Sequence, residues 1–217
     1  LTGPLTAGIG TSSFVTTSGI LAEDEYPQFA SNASARWAKP GGPFDPHSGS
    51  QYVFSQLADA SYKRLTREIA VPAGGGDLTF WTSYDTEPEW DHLIVEARVP
   101  NTDQWTTLPS EHTTSSTGQS CPAGWRELHP HLDHYQTVID STSCEPSGTT
   151  GVWNAASGNS GGWEQWNVDL SLYQTAGQVE VSIGYVSDWS TQGLGVFVDD
   201  IEVSTGEGST SFENDDS

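Results

Sequence analysis

The sequence predicts an all-β protein: a jelly-roll β-sandwich of two antiparallel sheets with a long, disulfide-closed loop insertion. Three observations predict it. Apolar and polar residues alternate with period two in one segment after another, turns rich in Gly and Pro separate those segments, and no stretch shows a 3.6-residue helical period. A length of 217 residues suits one large β domain or two small ones, and no internal repeat divides it.

Taken in order, residues 1–22 are small, polar and Gly-rich, with one short candidate strand at Ser13–Thr16, and read as a linker or edge segment. The β-sandwich domain is expected over 23–205. Pro40-Gly41-Gly42-Pro43 is a firm break, and regularity begins with Tyr52, Val53 and Phe54. Leu65, Ile69 and Val71 with polar Arg64, Thr66 and Glu68 predict a half-buried strand. After the turn Pro72–Asp77, Leu78, Phe80, Thr82 and Tyr84 share one face of the next. Leu93, Val95, Ala97 and Val99 then alternate with Ile94, Glu96 and Arg98. Ser110 to Gly162 is far longer than an ordinary connection and polar throughout. Trp163, Trp166, Val168 and Leu170 resume the pattern, and Val179, Val181, Ile183 and Tyr185 alternate with Glu180, Ser182, Gly184 and Val186. Residues 206–217 read as an acidic linker or tail.

The last strong strand signal, Gly193 to Val203, contains a parity slip. Val196 and Val198 lie on one face, Ile201 and Val203 on the other parity, so a strand that keeps its core face needs a β-bulge at Asp199-Asp200. Two adjacent acids at such a point are either a solvent-facing strand end or the start of a calcium site.

Composition narrows the function. A net charge of −22, from 29 acids and 7 bases, argues against nucleic acid or an anionic membrane as partner and favours solubility, cation binding or life in salt. No apolar run approaches a membrane span and no signal peptide stands at Leu1; with Met at 0, the sequence is expected to be a processed or excised part of something longer. Few Lys, many Trp, Ser, Thr and Gly, and two cysteines in one loop-like region predict a secreted protein with a Cys121–Cys144 disulfide. That bridge would stabilise the insertion by ~3 kcal/mol.

No zinc-protease motif and no Gly-x-Ser-x-Gly elbow is present. His129 and His131 lie in the densest set of ligand types, Glu127 to Tyr135, but Pro130 and the spacing fit zinc poorly, and zinc is not expected. The loop Asp85 to Asp91 offers carboxylates for general acid–base work, though any acidic loop looks the same. Asp91, at the entry of a core strand, is placed to meet the Asp199-Asp200 bulge or to cap loop amides. Trp105, Trp125, Trp153 and Trp189 lie in loop-like segments and are candidates for stacking on sugar rings.

The segments LTFWTSYDTEPEWDHLIVEAR, SGGWEQWNVDLSLYQTAGQVEVSIGYVSDW and GLGVFVDDIEV resemble a jelly-roll module that follows the catalytic domain in secreted bacterial proteases, of the immune inhibitor A and MAM-like kind. With SYKRLTREI, SCPAGWRELHPHLDHYQT and GTTGVWNAASGNSGGW, the stretch Gln51 to Thr205 is similar to the C-terminal region of secreted bacterial zinc carboxypeptidases. The resemblance implies a non-catalytic accessory domain that stabilises the protease or brings it to a substrate or surface. Its partners would be the catalytic domain and a protein or polysaccharide surface. It also implies a structural calcium at Asp199 and Asp200, completed by an acid near the first strand such as Glu23, Asp24 or Asp45. A carbohydrate-binding module and a stand-alone glycosidase are the competing expectations.

Overall fold

The computed structural model describes residues 11–13, 36–38, 45–56, 58–119, 121–206 and 208–213. Its strands in chain order are β1 (Thr11–Ser13), β2 (Arg36–Ala38), β3 (Gln51–Phe54), β4 (Tyr62–Ala70), β5 (Asp77–Asp85), β6 (His92–Arg98) and β7 (Thr106–Thr107), then β8 (Thr137–Asp140), β9 (Ser143–Glu145), β10 (Glu164–Asp169), β11 (Gln178–Val186), β12 (Gly195–Val203) and β13 (Gly208–Thr210). One sheet has the order β1-β4-β11-β6-β7 and the other β10-β5-β12-β3-β2, with β13 added to β12. Pairing is antiparallel except where β1 joins β4. The strands β4, β5, β6, β10, β11 and β12 fall alternately in the first and second sheet. This is the crossing pattern of a jelly roll, and it lets each connection bridge the two layers.

The core between the sheets is built from the residues whose alternation predicts it. Val53, Phe80, Val95, Val168, Val179, Ile183, Val196 and Val198 are among its fully or almost fully buried members. The β-bulge occurs where the parity slips: pairing of β12 with β5 shifts register between Asp199 and Glu202, and Asp200 has φ +45°. β3 pairs with β12 at Phe197 and Val198, and β13 pairs with it from Ile201 to Val203. β5 holds the other edge of β12 throughout, so β3 and β13 follow one another along the same edge. The tail expected from 206 onward therefore contributes to the fold instead: β13 is a sheet strand and Phe212 is 1% exposed within the core. Its Gly/Ser composition hid a strand that needs only backbone pairing.

The long insertion covers the outer face of the first sheet. Trp105, Trp125, Leu132, Tyr135, Trp153 and Ala155 pack on Tyr62, Ile94 and Val186, the outward residues of β4, β6 and β11, as a second hydrophobic cluster. β6 is consequently buried on both faces almost to its end. Cys121 and Cys144 are joined, with Cα atoms 6.2 Å apart, and the bridge fastens the β8–β9 hairpin to a short helical stretch at Cys121–Leu128.

At the centre of this layer stands a buried carboxylate. Glu96 points outward from β6, is 0% exposed, and accepts hydrogen bonds from Tyr62 at 2.5 Å and Tyr135 at 2.6 Å. Arg64 of β4 forms an ion pair with it, and its guanidinium lies 4.4 Å from the Tyr62 ring centroid and 5.2 Å from that of Trp105. The two charges meet across β11, where Gly184 faces Arg64 in register. A side chain there would press on Ile94, 3.1 Å from an added Cβ. Burial by itself raises the Glu96 pKa, but Arg64, His131 and Tyr135 outweigh it and hold the acid at about 2, against an ordinary 4.5.

These contacts set how stability responds to pH and to substitution. Because the folded-state value is depressed, Glu96 stabilises the fold above its unfolded pKa, and that contribution, about 3 kcal/mol, is lost as pH falls from 4.5 toward 2. Glu96→Gln strands the Arg64 charge and is expected to destabilise by about 3–5 kcal/mol at neutral pH, read as a drop in thermal midpoint; an unchanged midpoint would remove Glu96 from this role. Thiol titration of the unreduced, unfolded chain is expected to find no free cysteine, and Cys144→Ser to cost about 3 kcal/mol.

Candidate functional site

Three connections meet at one end of the sandwich: residues 55–56 and 58–61 between β3 and β4, 86–91 between β5 and β6, and 187–194 between β11 and β12. The end of β11 lies beside the start of β6, with Val186 paired to His92, which brings Asp188 next to Asp91. Asp91 is 1% exposed. Its Oδ1 accepts from the Asp188 backbone N–H at 3.0 Å and its Oδ2 from the Tyr185 hydroxyl at 3.0 Å. Its own N–H donates to the Glu87 carbonyl at 2.9 Å, folding the loop so that one carboxylate oxygen each from Glu87, Asp91 and Asp188 lie within 4.8 Å of one another. Thr86 pins the loop, its Oγ1 lying 3.2 Å from the carbonyls of both Asp91 and Gly158.

Among the described residues no Lys or Arg forms an ion pair with this trio. The connections 55–61, 85–91 and 187–194 contain no Lys or Arg. Burial, with a smaller contribution from the Asp188 charge, pushes the Asp91 acid up to about 6 despite the hydrogen bonds that oppose the rise. Burial and Asp188 also raise Glu87. Three carboxylates in this arrangement suit a hard cation that takes its remaining ligands from carbonyls or water.

The bulge makes a second acidic cluster with a different character. Asp199, 0% exposed, accepts from the Ser48 N–H at 3.1 Å and from the Asp200 N–H at 2.8 Å. Asp200 accepts from the Ser48 hydroxyl at 2.7 Å and lies 2.6 Å from Nδ1 of His47. His47 in turn stacks on Trp81, with ring centroids 3.7 Å apart. Glu213 binds the backbone N–H groups of Ser50 and Gln51, each at 2.7 Å. The carboxylates thus hold the loop before β3 through donors already in place. Burial raises Asp199 to about 6, with the Ser48 hydrogen bond opposing.

The sequence reading placed Asp91 with the bulge or with loop amides, and the structure gives the second. Asp199 pairs with Trp81, four residues along β5 from the Asp85–Gly195 pair, or about 13 Å, and Asp91 lies beyond that end, in the connection that leads into β6 of the other sheet. Asp45 is exposed in the loop near the bulge, where its backbone carbonyl accepts from Trp163 at 2.9 Å. Glu23 and Asp24 lie outside the described residues.

Three of the four sugar-stacking candidates are corrected by burial. Trp105, Trp125 and Trp153 are 4%, 0% and 0% exposed and present no free ring face, because the insertion packs them against the sheet. Trp189 is 49% exposed. It leans over Gly124, where an added Cβ would stand 3.0 Å from the indole. The histidines of the insertion serve separate bonds: His129 Nε2 meets the Ser187 carbonyl at 2.8 Å, and His134 Nδ1 the Thr150 hydroxyl at 2.8 Å.

Glu87 and Asp188 were missed as a pair with Asp91. Glu87 sits in the acidic loop visible in the sequence, but only the β6–β11 register brings Asp188 there. No family model matches the chain, and no curated protein matches it.

The raised value of Asp91 has the opposite sign to that of Glu96. The fold favours protonated Asp91, so stability is lost as pH rises from 3.8 through about 6. In the presence of a chelator, Asp91→Asn is expected to raise the thermal midpoint at pH 8, to raise it less at pH 5 and to change it little at pH 3.5; a lower midpoint at pH 8 would contradict this account.

Proposed function

We propose that this chain is a non-catalytic β-sandwich accessory domain of a secreted zinc-carboxypeptidase-like protease, with a structural calcium held by Glu87, Asp91 and Asp188. The meeting of these three carboxylates within 4.8 Å, without a base among them, carries the proposal. Calcium there would join the 86–91 connection to the 187–194 connection and remove the penalty of ionising Asp91. This moves the expected ion away from Asp199 and Asp200, where His47 already lies against Asp200 and, among the described residues, no third carboxylate joins them. Zinc has no role in the domain on this reading.

An accessory role accords with what the buried acids do. Glu96, Asp91 and Asp199 each fasten a loop or insertion to a sheet. Asp91 is too deeply set for a glycosidic oxygen to reach it, which weighs against a glycosidase. The buried Trp residues weigh against a carbohydrate-binding module built on them. The protease parent rests on the sequence resemblance, and secretion on that resemblance together with the disulfide.

Calcium at about 100 times its Kd is expected to raise the thermal midpoint of the chelator-treated protein by roughly 5–10 °C at pH 7.5 and by less at pH 5. Asp188→Asn should abolish the response and Asp199→Asn should keep it. No response in the wild type would refute the calcium site. The isolated domain is expected to cleave neither peptides nor glycosides; hydrolysis lost in Asp91→Asn would replace the accessory reading with an enzyme.

A further inference from the structure

The end of the sandwich that carries the trio also exposes apolar surface on the β11–β12 connection, where Trp189 and Leu194 are 49% and 44% exposed. Three acids outside the trio lie at this end of the sandwich. Asp85 accepts from the Leu194 N–H at 3.2 Å and from Asn159 at 2.9 Å, Glu89 accepts from Gln119 at 2.8 Å, and Asp59 accepts from Gln192. All of these donors are neutral, so the carboxylates are oriented without being neutralised. The connections that bear them contain no Lys or Arg. Elsewhere Lys63 is buried, Arg64 is paired with Glu96, Arg98 with Glu180 and Arg126 with Asp133.

An exposed indole at an end of the molecule whose connections carry acids and no Lys or Arg is matched by a cation on an apolar stem, since the ring face and the carboxylates attract the same charge. We propose that Trp189 and Leu194, rimmed by Asp59, Asp85 and Glu89, form a docking surface for a protein segment that carries Lys or Arg beside apolar side chains. The apolar patch anchors the segment and the acids select its charge. The proposal rests on the reading of the chain as an accessory domain, and it does not require calcium, because the rim acids lie outside the trio.

The test uses a fluorescein-labelled peptide of alternating Arg and Leu, titrated with the 217-residue chain at about 150 mM salt, in calcium and in chelator. Binding is expected in both, with no binding of the copy in which each Arg is Glu. A chain of this net charge attracts any polycation, so the decisive comparison is between variants. Trp189→Ala, with its thermal midpoint unchanged, is expected to weaken binding about fivefold. Leu172→Ala, which removes a side chain 71% exposed at the opposite end, is expected to leave it unaltered. Equal affinity in wild type and Trp189→Ala would mean diffuse charge attraction only and would overturn the proposal. So would Trp189-dependent binding of a hexasaccharide, or Trp189-dependent self-association, in place of peptide binding. Peptide binding that survives in chelator while calcium leaves the thermal midpoint unmoved would uphold the docking surface and refute only the calcium site.

Discussion

The ion pair between Glu96 and Arg64 decides how the molecule is layered. A two-sheet sandwich needs one buried face per sheet; this one buries both faces of β6 because a carboxylate on its outer side is matched there. Taking Glu96 from water is tolerable only with its oxygens satisfied, and the partners come from two sources. Arg64 and Tyr62 belong to the sheet, while Tyr135 belongs to the insertion. The sheet therefore presents a charged, half-satisfied socket that is completed only when the insertion folds over it. Gly184 keeps the space above β11 clear for that closure.

Dependence of this kind explains which parts of the molecule were legible in the sequence. The strands of the two sheets could be read because inward residues such as Val179, Val181 and Ile183 alternate with others, and local spacing is all that alternation requires. The bulge could be read for the same reason, since Val198 and Ile201 cannot share a face without it. Glu96 could not. In a strand with one wet face it occupies an ordinary solvent position, and nothing near it in the chain reveals that Tyr135, 39 residues away, will cover it. Trp125 and Trp153 were obscured in the same way: Gly, Ser and Pro around them signal irregular backbone, and irregular backbone can enclose a core of its own.

The candidate site was half legible. Asp91 stands out as an acid at the entry of a core strand, and the acidic loop before it is visible in the sequence. Asp188 becomes its neighbour only through the antiparallel register of β6 and β11. Asp199 and Asp200 stand out more strongly than any of these, yet their carboxylates are engaged with His47 and Ser48. Prominence in sequence thus marked a tie between strand and loop, whereas the group lacking a counter-charge was assembled from separated residues.

The bulge also fixes how the domain is threaded. β3 begins and β13 ends beside it on one edge of β12, and Glu213 clasps the backbone at Ser50 and Gln51. The segment after β13 is thus a latch on the loop before β3, closed between residues 163 positions apart in the chain. That edge of the second sheet is complete only when both ends of the span are in place.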